Sequence, residues 1–528
     1  MSATTKRRGP TPDVWPLVAM SAVGAVLMAV LVLRTSGAPG VAVLTVPWAV
    51  AAVAAVVALR RRARPTVDRA ARYLSDVRAI DRAANPWAPY IGTGIAMPAG
   101  PLIGRTVGGR DVRVSWDQTH LDIWGPRTGK TASRAVPVIL SAPGNVVVTS
   151  NKRDVVDATR GPRGDHGTVW VFDPQQQVGE RASWWWNPLS FIDGSMARAD
   201  LLAGLFMSVQ VRGHQRSDGY FEPAARTLFA CLMLAADTEN LPITMVLRWL
   251  QWPTDDTPVR ILHDGGHHLS AESVDGFQGL PSEQRAGVYG TARQIASFLT
   301  APELIEWITP GRDPSRPELR AYDFAARADQ TVYLLSDETN WAAAPVTLAL
   351  TSALAYAHEG VAIDSPHGRL RHPALFVLDE AANICPWPEL PSLYSHLGSR
   401  NIAMMIILQS WHQGVAAWGD RGMAKLWGSA SVRVYGGGVG DVPFLGDLSQ
   451  ASGVFEPPTT SISGPMTAAW WNRVVTRASR SEPVLDAADL AALPRGRAFV
   501  QVGGARPVLV RTVPWWEGPH ADAVRASI

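Results

Sequence analysis

The segment from Gly125 to Thr131 follows a short apolar run, His120–Ile123, and leads into a helical pattern over Thr131–Leu140. A glycine-rich turn between a strand and a helix is the setting of a phosphate-binding loop. Its backbone N–H groups converge on the phosphates, and the helix N-terminus adds its positive end. Gly125, Pro126, Arg127, Thr128, Gly129, Lys130 and Thr131 are therefore the candidate residues for binding ATP. Lys130 would neutralise the β- and γ-phosphates, and Thr131 would offer its hydroxyl to Mg2+. Only four of the 49 basic residues are lysines, and one of them stands here. The usual loop has four residues between its two glycines. Here three separate Gly125 from Gly129, with Trp124 in the earlier position, so the loop is one residue short at its front.

A second constellation lies far along the chain. Ala374–Leu378 is an apolar run ending in Asp379 and Glu380. A carboxylate at such a strand end can hold Mg2+, and the next can polarise an attacking water. The expected roles are metal binding for Asp379 and general base for Glu380. Ala403–Leu408 leads to Gln409 and Ser410, where an amide can sense a γ-phosphate or orient water. Arg400, just before that run, is the candidate arginine finger for a neighbouring subunit, with Arg433 a weaker one. Other groups read as structural. His263, His267 and His268 fall in a Gly-rich solvated loop, Gly436–Gly438 in a tight turn. Trp184–Trp186 belong to a packed core or subunit contact, and Cys385 is a small buried side chain.

Strand and helix patterns alternate on both sides of these motifs. β-branched runs at Asn145–Thr149 and Thr168–Phe172 precede a change of character over 196–310, where helical patterns follow one another without a convincing strand. Apolar strands return at Gln330–Leu335, Ala374–Leu378, Ala403–Leu408, Val432–Tyr435, Arg497–Val502 and Val508–Val513. Buried apolar strands separated by helices imply an α/β fold with a parallel sheet covered on both faces and an inserted all-α domain. Residues 66–84 read as one connecting helix, the following chain to Gly109 as irregular, and 455–482 as a loop.

The amino-terminal end has a different composition. Val14–Leu33 and Val41–Leu59 are each long and apolar enough to cross a bilayer as a helix. Basic residues lie before the first run and after the second, and only Arg34 lies between. This arrangement puts both termini in the cytoplasm. Residues 1–64 hold eight basic residues and one acid, which leaves 41 basic and 45 acidic residues for the rest. The mildly acidic body excludes a general electrostatic grip on nucleic acid, so any contact with DNA must be local. Two cysteines exclude a disulfide framework and a four-cysteine zinc site.

Taken in order, these motifs resemble the TraG/TraD-like coupling proteins of type IV secretion and conjugation. The resemblance rests on the two apolar runs, the loop ending in Lys130-Thr131, Val147–Asp154, Trp170–Pro174 and Trp186–Leu189. It continues through Leu378–Ala381, Leu408–Ser410 and the closing Leu485–Gly503. It implies a RecA-like P-loop ATPase core with an inserted helical domain for substrate recognition, arranged as a homo-hexamer at the plasma membrane. It also implies partners: single-stranded DNA or a relaxase–DNA complex, secreted proteins, and the components of a type IV secretion channel. The expected domains are a two-span membrane anchor over 1–64, a connecting helix and linker over 65–110, and nucleotide-binding parts at 111–195 and 311–515. These flank the all-α domain at 196–310, and 516–528 forms a tail. An FtsK-like double-stranded DNA translocase and a nucleotide-binding membrane adaptor without turnover are the alternatives.

Overall fold

The computed structural model describes residues 65–84, 99–210, 219–311, 313, 315–337, 342–456, 458–463, 474–479 and 481–528. The chain divides into two units, 1–69 and 70–528. Of the first, only the start of a helical turn, Thr66–Ala70, falls within the described residues. The two expected membrane spans lie outside them.

The second unit is built on an eleven-stranded sheet. In chain order its strands are β1 (Leu102–Thr106), β2 (Asp111–Arg113), β3 (His120–Ile123), β4 (Val146–Ser150), β5 (Val169–Phe172) and β6 (Thr331–Leu335). They continue with β7 (Ala374–Leu378), β8 (Ile402–Leu408), β9 (Val432–Tyr435), β10 (Arg497–Val502) and β11 (Val508–Arg511). Their spatial order is β2-β1-β11-β10-β9-β3-β8-β7-β4-β6-β5. From β9 to β5 every pairing is parallel. From β9 outward to β2 every pairing is antiparallel. The parallel strands β3, β4, β6, β7 and β8 are buried at every position. This is why they appear in the sequence as unbroken apolar runs rather than alternating ones.

The loop after β3 enters a π-helical turn, Thr131–Ala135, that continues as α2 (Val136–Ser141), α1 being Val77–Ala84. Helix α3 (Asp154–Gly164) follows β4. Between β5 and β6 the described residues of 196–310 contain helices from Met196–Gln210 to Pro302–Ile308 and no strand. Helix α4 (Ala344–Asp364) is long and apolar enough to cross a membrane, yet two-thirds of its most apolar stretch is buried within the unit. It is a core helix of this fold.

The structure corrects three expectations. Residues 66–84 do not form one helix. The chain breaks before α1, where Asp76 Oδ1 accepts the Ala79 N–H at 2.9 Å as a helix cap, and Ser75 N–H donates to Pro507 O. Leu102–Thr106, expected to be irregular, becomes β1 because β11 presents an open edge to it. The segment 455–482 contains a hairpin, Pro458–Ser463 paired antiparallel with Val474–Ser479. Within the tail over 516–528, α7 (Ala521–Ser527) lies on α3. There Val524 packs with Val136, Leu140 and Ala158, and Ser527 Oγ bonds both Asp157 O and Gly161 N–H.

Arg163, at the end of α3, ties the layers together. Its buried guanidinium donates to Thr331 Oγ1 on β6 and to the carbonyls of Ala142 and Gly144 after α2, at 2.8–3.0 Å. Replacing it with Leu strands two buried carbonyls, at about 1–3 kcal/mol each. Arg163→Leu is therefore expected to melt several degrees below the wild type in a calorimetric scan, with the loss reproduced in a denaturant titration.

Candidate functional site

Strands β3, β8 and β7 are parallel neighbours, so their carboxyl-terminal ends open on the same edge of the sheet. In such sheets the crevice beyond these ends is where ligands bind. The register aligns Ile123 with Leu408 and Leu378 with Ile406, which brings the residues that follow each strand side by side. The Trp124 N–H donates to Leu408 O at 2.9 Å and continues the ladder into the loop. Gly129 takes φ +93° and Arg127 φ +59°, and Thr128 Oγ1 closes the turn onto Gly125 O. Lys130 then stands at the N-terminal boundary of the π-helical turn.

Lys130, buried in spite of its charge, joins the two motifs. Its Nζ donates to Glu380 Oε1 and lies 3.0 Å from Asp379 Oδ1. Gln409 Nε2 donates to the same Glu380 oxygen at 2.6 Å. Both oxygens of Asp379 and Oε2 of Glu380 remain buried without a hydrogen-bond donor, the contact between Lys130 and Asp379 being one of charge. Buried carboxylate oxygens left in this way suit a hard cation that takes oxygen ligands, so the residues present fit Mg2+. Burial works to lower the Lys130 pKa, but Asp379 and then Glu380 outweigh it and hold it above the ordinary value. Burial also raises the Asp379 carboxyl; Lys130 opposes this and Glu380 adds to it.

Glu380 has φ +54° and ψ +37°, a left-handed backbone at a residue with a side chain. Such strain persists only where the surroundings enforce it, and it collects at functional sites. Here Asp379 N–H is fixed to Thr149 O, and the Asn383 and Ile384 N–H groups return to Glu380 O. The strain turns the Glu380 side chain back toward Lys130.

The structure thus brings Lys130, Asp379, Glu380 and Gln409 into one cluster, with Thr131 beside it. Ser410 caps α6 (Trp411–Ser429), α5 being Leu390–Ser399, and its Oγ accepts the Gln413 N–H. Arg400 is not part of the cluster: it lies at the other end of β8, half-buried, with Nη1 donating to Gly368 O. Arg433 is occupied at the end of α6, donating to Trp427 O and Gly428 O. Trp184 and Trp186 are buried; Trp184 packs against Trp170, Phe172 and Trp307. Among the described residues no group of three or more histidines, cysteines and acids is gathered as a metal site, and Cys385 is buried. A cleft of about 420 Å3 opens beside the loop, lined by Arg127, Gly129, Lys130, Thr131, Lys152 and Trp515 among others.

Sequence reasoning did not identify the support beneath the loop. Arg134 faces the core, where its Nε donates to Asp122 Oδ2 at 2.7 Å and its Nη2 contacts His120 Nδ1 at 2.8 Å. Asp122 and His120 belong to β3, so this fully buried pair locks the first helical turn to the strand before the loop. Burial and Arg134 together keep the His120 pKa well below the ordinary value. The available signal was an acid inside an otherwise apolar strand, twelve positions before an arginine in the first helical turn.

Residues 373–495, which include Asp379, Glu380 and Gln409, match the family model described as the TraM recognition site of TraD and TraG. No curated protein matches the sequence. Among solved structures, the unbound bacterial conjugative coupling protein TrwBΔN70 is 15% identical, covers 82% of this chain and 91% of its own, and has a TM-score of 0.55. The coupling protein TrwB with ADP and Mg2+ is 16% identical over 76% of this chain and 88% of its own, at 0.54. The same protein with the ATP analogue ADPNP is 15% identical over 79% and 90%, at 0.55. The fold is that of TrwB, and the match over 373–495 bears out the TraG/TraD-like resemblance.

The raised Asp379 pKa has a consequence for stability. A carboxyl raised by burial favours the folded state fully only while protonated, below its unfolded pKa, and that contribution is lost as pH rises through the folded value. Asn mimics the protonated form. The melting temperature of ligand-free Asp379→Asn should match the wild type in acid and exceed it increasingly as pH rises to neutrality. Parallel curves across this range would contradict the assignment.

Proposed function

We propose that this chain is a membrane-anchored ATPase that couples ATP hydrolysis to the delivery of DNA or protein substrates to a secretion channel. The reading is carried chiefly by one observation: Lys130, Asp379, Glu380 and Gln409 meet at the ends of three adjacent parallel strands. The structures of TrwB in complex with ADP and Mg2+ and with an ATP analogue support it.

In the ligand-free state Lys130 and Gln409 both donate to Glu380 Oε1. A triphosphate in the loop competes for the Lys130 ammonium, which carries charge that phosphate oxygens attract more strongly than a shared carboxylate can. Lys130 then turns to the phosphates, and the Glu380 carboxylate is released to accept a proton from an attacking water, with Gln409 orienting that water. Thr131 and Asp379 would hold Mg2+, which neutralises charge on the phosphate oxygens when bound. Gly125 to Thr131 form the phosphate cradle. In a head-to-tail homo-hexamer, Arg400 would serve a neighbouring subunit, its single carbonyl partner being readily exchanged. Residues 1–64 would anchor the ring in the plasma membrane, with the body in the cytoplasm.

The all-α domain over 196–310 is the proposed substrate-recognition element, and 373–495 the region facing a partner of the TraM kind. That insertion favours this reading over an FtsK-like pump. Cargo would be single-stranded DNA, a relaxase–DNA complex or secreted protein.

Full-length protein in lipid should hydrolyse ATP, faster with single-stranded DNA at fixed salt. Lys130→Ala and Glu380→Gln should each lower kcat by roughly a hundredfold or more, as loss of a phosphate cation or general base does. Tight ATP binding without turnover in the wild type would replace the motor with an adaptor.

A further inference from the structure

The shortened front of the phosphate loop is completed from elsewhere in the fold. After β9 the chain turns through Gly436, Gly437 and Gly438, and this turn lies directly against Trp124, Gly125 and Thr128. The β3–β9 ladder does not stop at Ile123 and Tyr435. The Gly436 N–H donates to Ile123 O at 3.0 Å, and the Gly125 N–H donates to Gly437 O at 2.9 Å. The first N–H of the loop is thus committed to the glycine turn, not directed at a phosphate.

The contact leaves no room for side chains. A Cβ on Gly436 would lie 2.0–2.5 Å from three carbons of the Trp124 indole. A Cβ on Gly125 would lie 2.1 Å from Gly438 O. A Cβ on Gly438 would lie 2.6 Å from Thr128 Cγ2, and Gly438 has φ +79°. Gly437 has φ +83°. Two positive-φ glycines and one with an indole across it are what this approach requires.

We propose that Gly436, Gly437 and Gly438 are positioning residues of the nucleotide site. They replace the missing loop residue as the wall that holds Trp124 and Gly125, and so set the direction of the remaining loop N–H groups. The inference rests on the nucleotide reading above and adds a second segment to it. It also accounts for Trp124: a broad side chain can stand where the loop is short because Gly436 gives its ring a flat seat.

The test is a double-mutant cycle in the full-length protein, read as the Kd of ATP with Mg2+ by calorimetric titration. Gly438→Ala should weaken binding by roughly tenfold or more, equivalent to about 1.4 kcal/mol. Its KM should rise more than its kcat falls. Adding Thr128→Ser removes Cγ2 but keeps the hydroxyl that bonds Gly125 O. It should recover most of the affinity lost, measured against Thr128→Ser alone. Gly440→Ala, in the same segment but with nothing within 4 Å of a Cβ, should bind as the wild type does. If Gly438→Ala does not fold, the same cycle is run with Gly436→Ala and Trp124→Leu. A folded Gly438→Ala with wild-type affinity overturns the proposal. So does a loss that Thr128→Ser leaves untouched, since backbone strain alone would then explain it. If the wild type binds no ATP, the nucleotide reading fails and takes this one with it.

Discussion

The structure turns on a single buried cation. Lys130 stands between two carboxylates that the chain delivers 249 and 250 positions later, and all three charges lie out of solvent. An ammonium withdrawn from water needs partners, and each carboxylate needs it in turn. That mutual need is met only if β3 and β7 end at the same height, with β8 between them supplying Gln409. The parallel register of three strands is therefore a condition for the site and not just its background. The fully buried Arg134–Asp122 pair serves the same end from below, because it fixes the first helical turn to β3 and with it the rotation of Lys130.

The arrangement is costly for the empty protein. One cation faces two anions, three carboxylate oxygens lack donors, and Glu380 holds a left-handed backbone. A fold selected only for stability would not keep this set, since replacing buried ion groups with apolar ones is commonly neutral or better. Under the proposed function each feature gains its value from a bound polyphosphate and cation. The phosphates would take over Lys130, and the metal would be held by the unpaired oxygens. The backbone bonds on either side of Glu380 hold that left-handed conformation without help from the cation. Stability is traded here for a site that is assembled before its ligand arrives.

How much of this could be read in the sequence depended on whether the cause was local. Buried parallel strands appear as apolar runs, so β4, β6, β7 and β8 were legible to within a residue or two. The motif residues at their ends were legible because chemistry restricts the residue types that can stand there. Leu102–Thr106 was not, since its strand character comes from the open edge of β11, a partner four hundred residues away. The order in 521–527 likewise comes from Val524 finding Val136 and Ala158. Arg134 and Asp122 were hidden for the same reason: an acid and a base twelve positions apart declare a bond only once the strand and helix are folded against each other.

The short phosphate loop shows how a motif can depart from its pattern without losing its structure. A loop defined by sequence spacing is, physically, a set of N–H groups held at a fixed distance and angle from a helix end. Any wall that holds them will do. Here the parallel ladder between β3 and β9 runs two hydrogen bonds past the strands, and the wall comes from Gly436–Gly438. That turn ends the same α6–β9 unit that begins beside Gln409, so one continuous piece of chain touches the site twice, once at Glu380 and once at Gly125. The residue missing from the loop and the three glycines beyond β9 are two parts of one geometric solution, and neither is intelligible without the other.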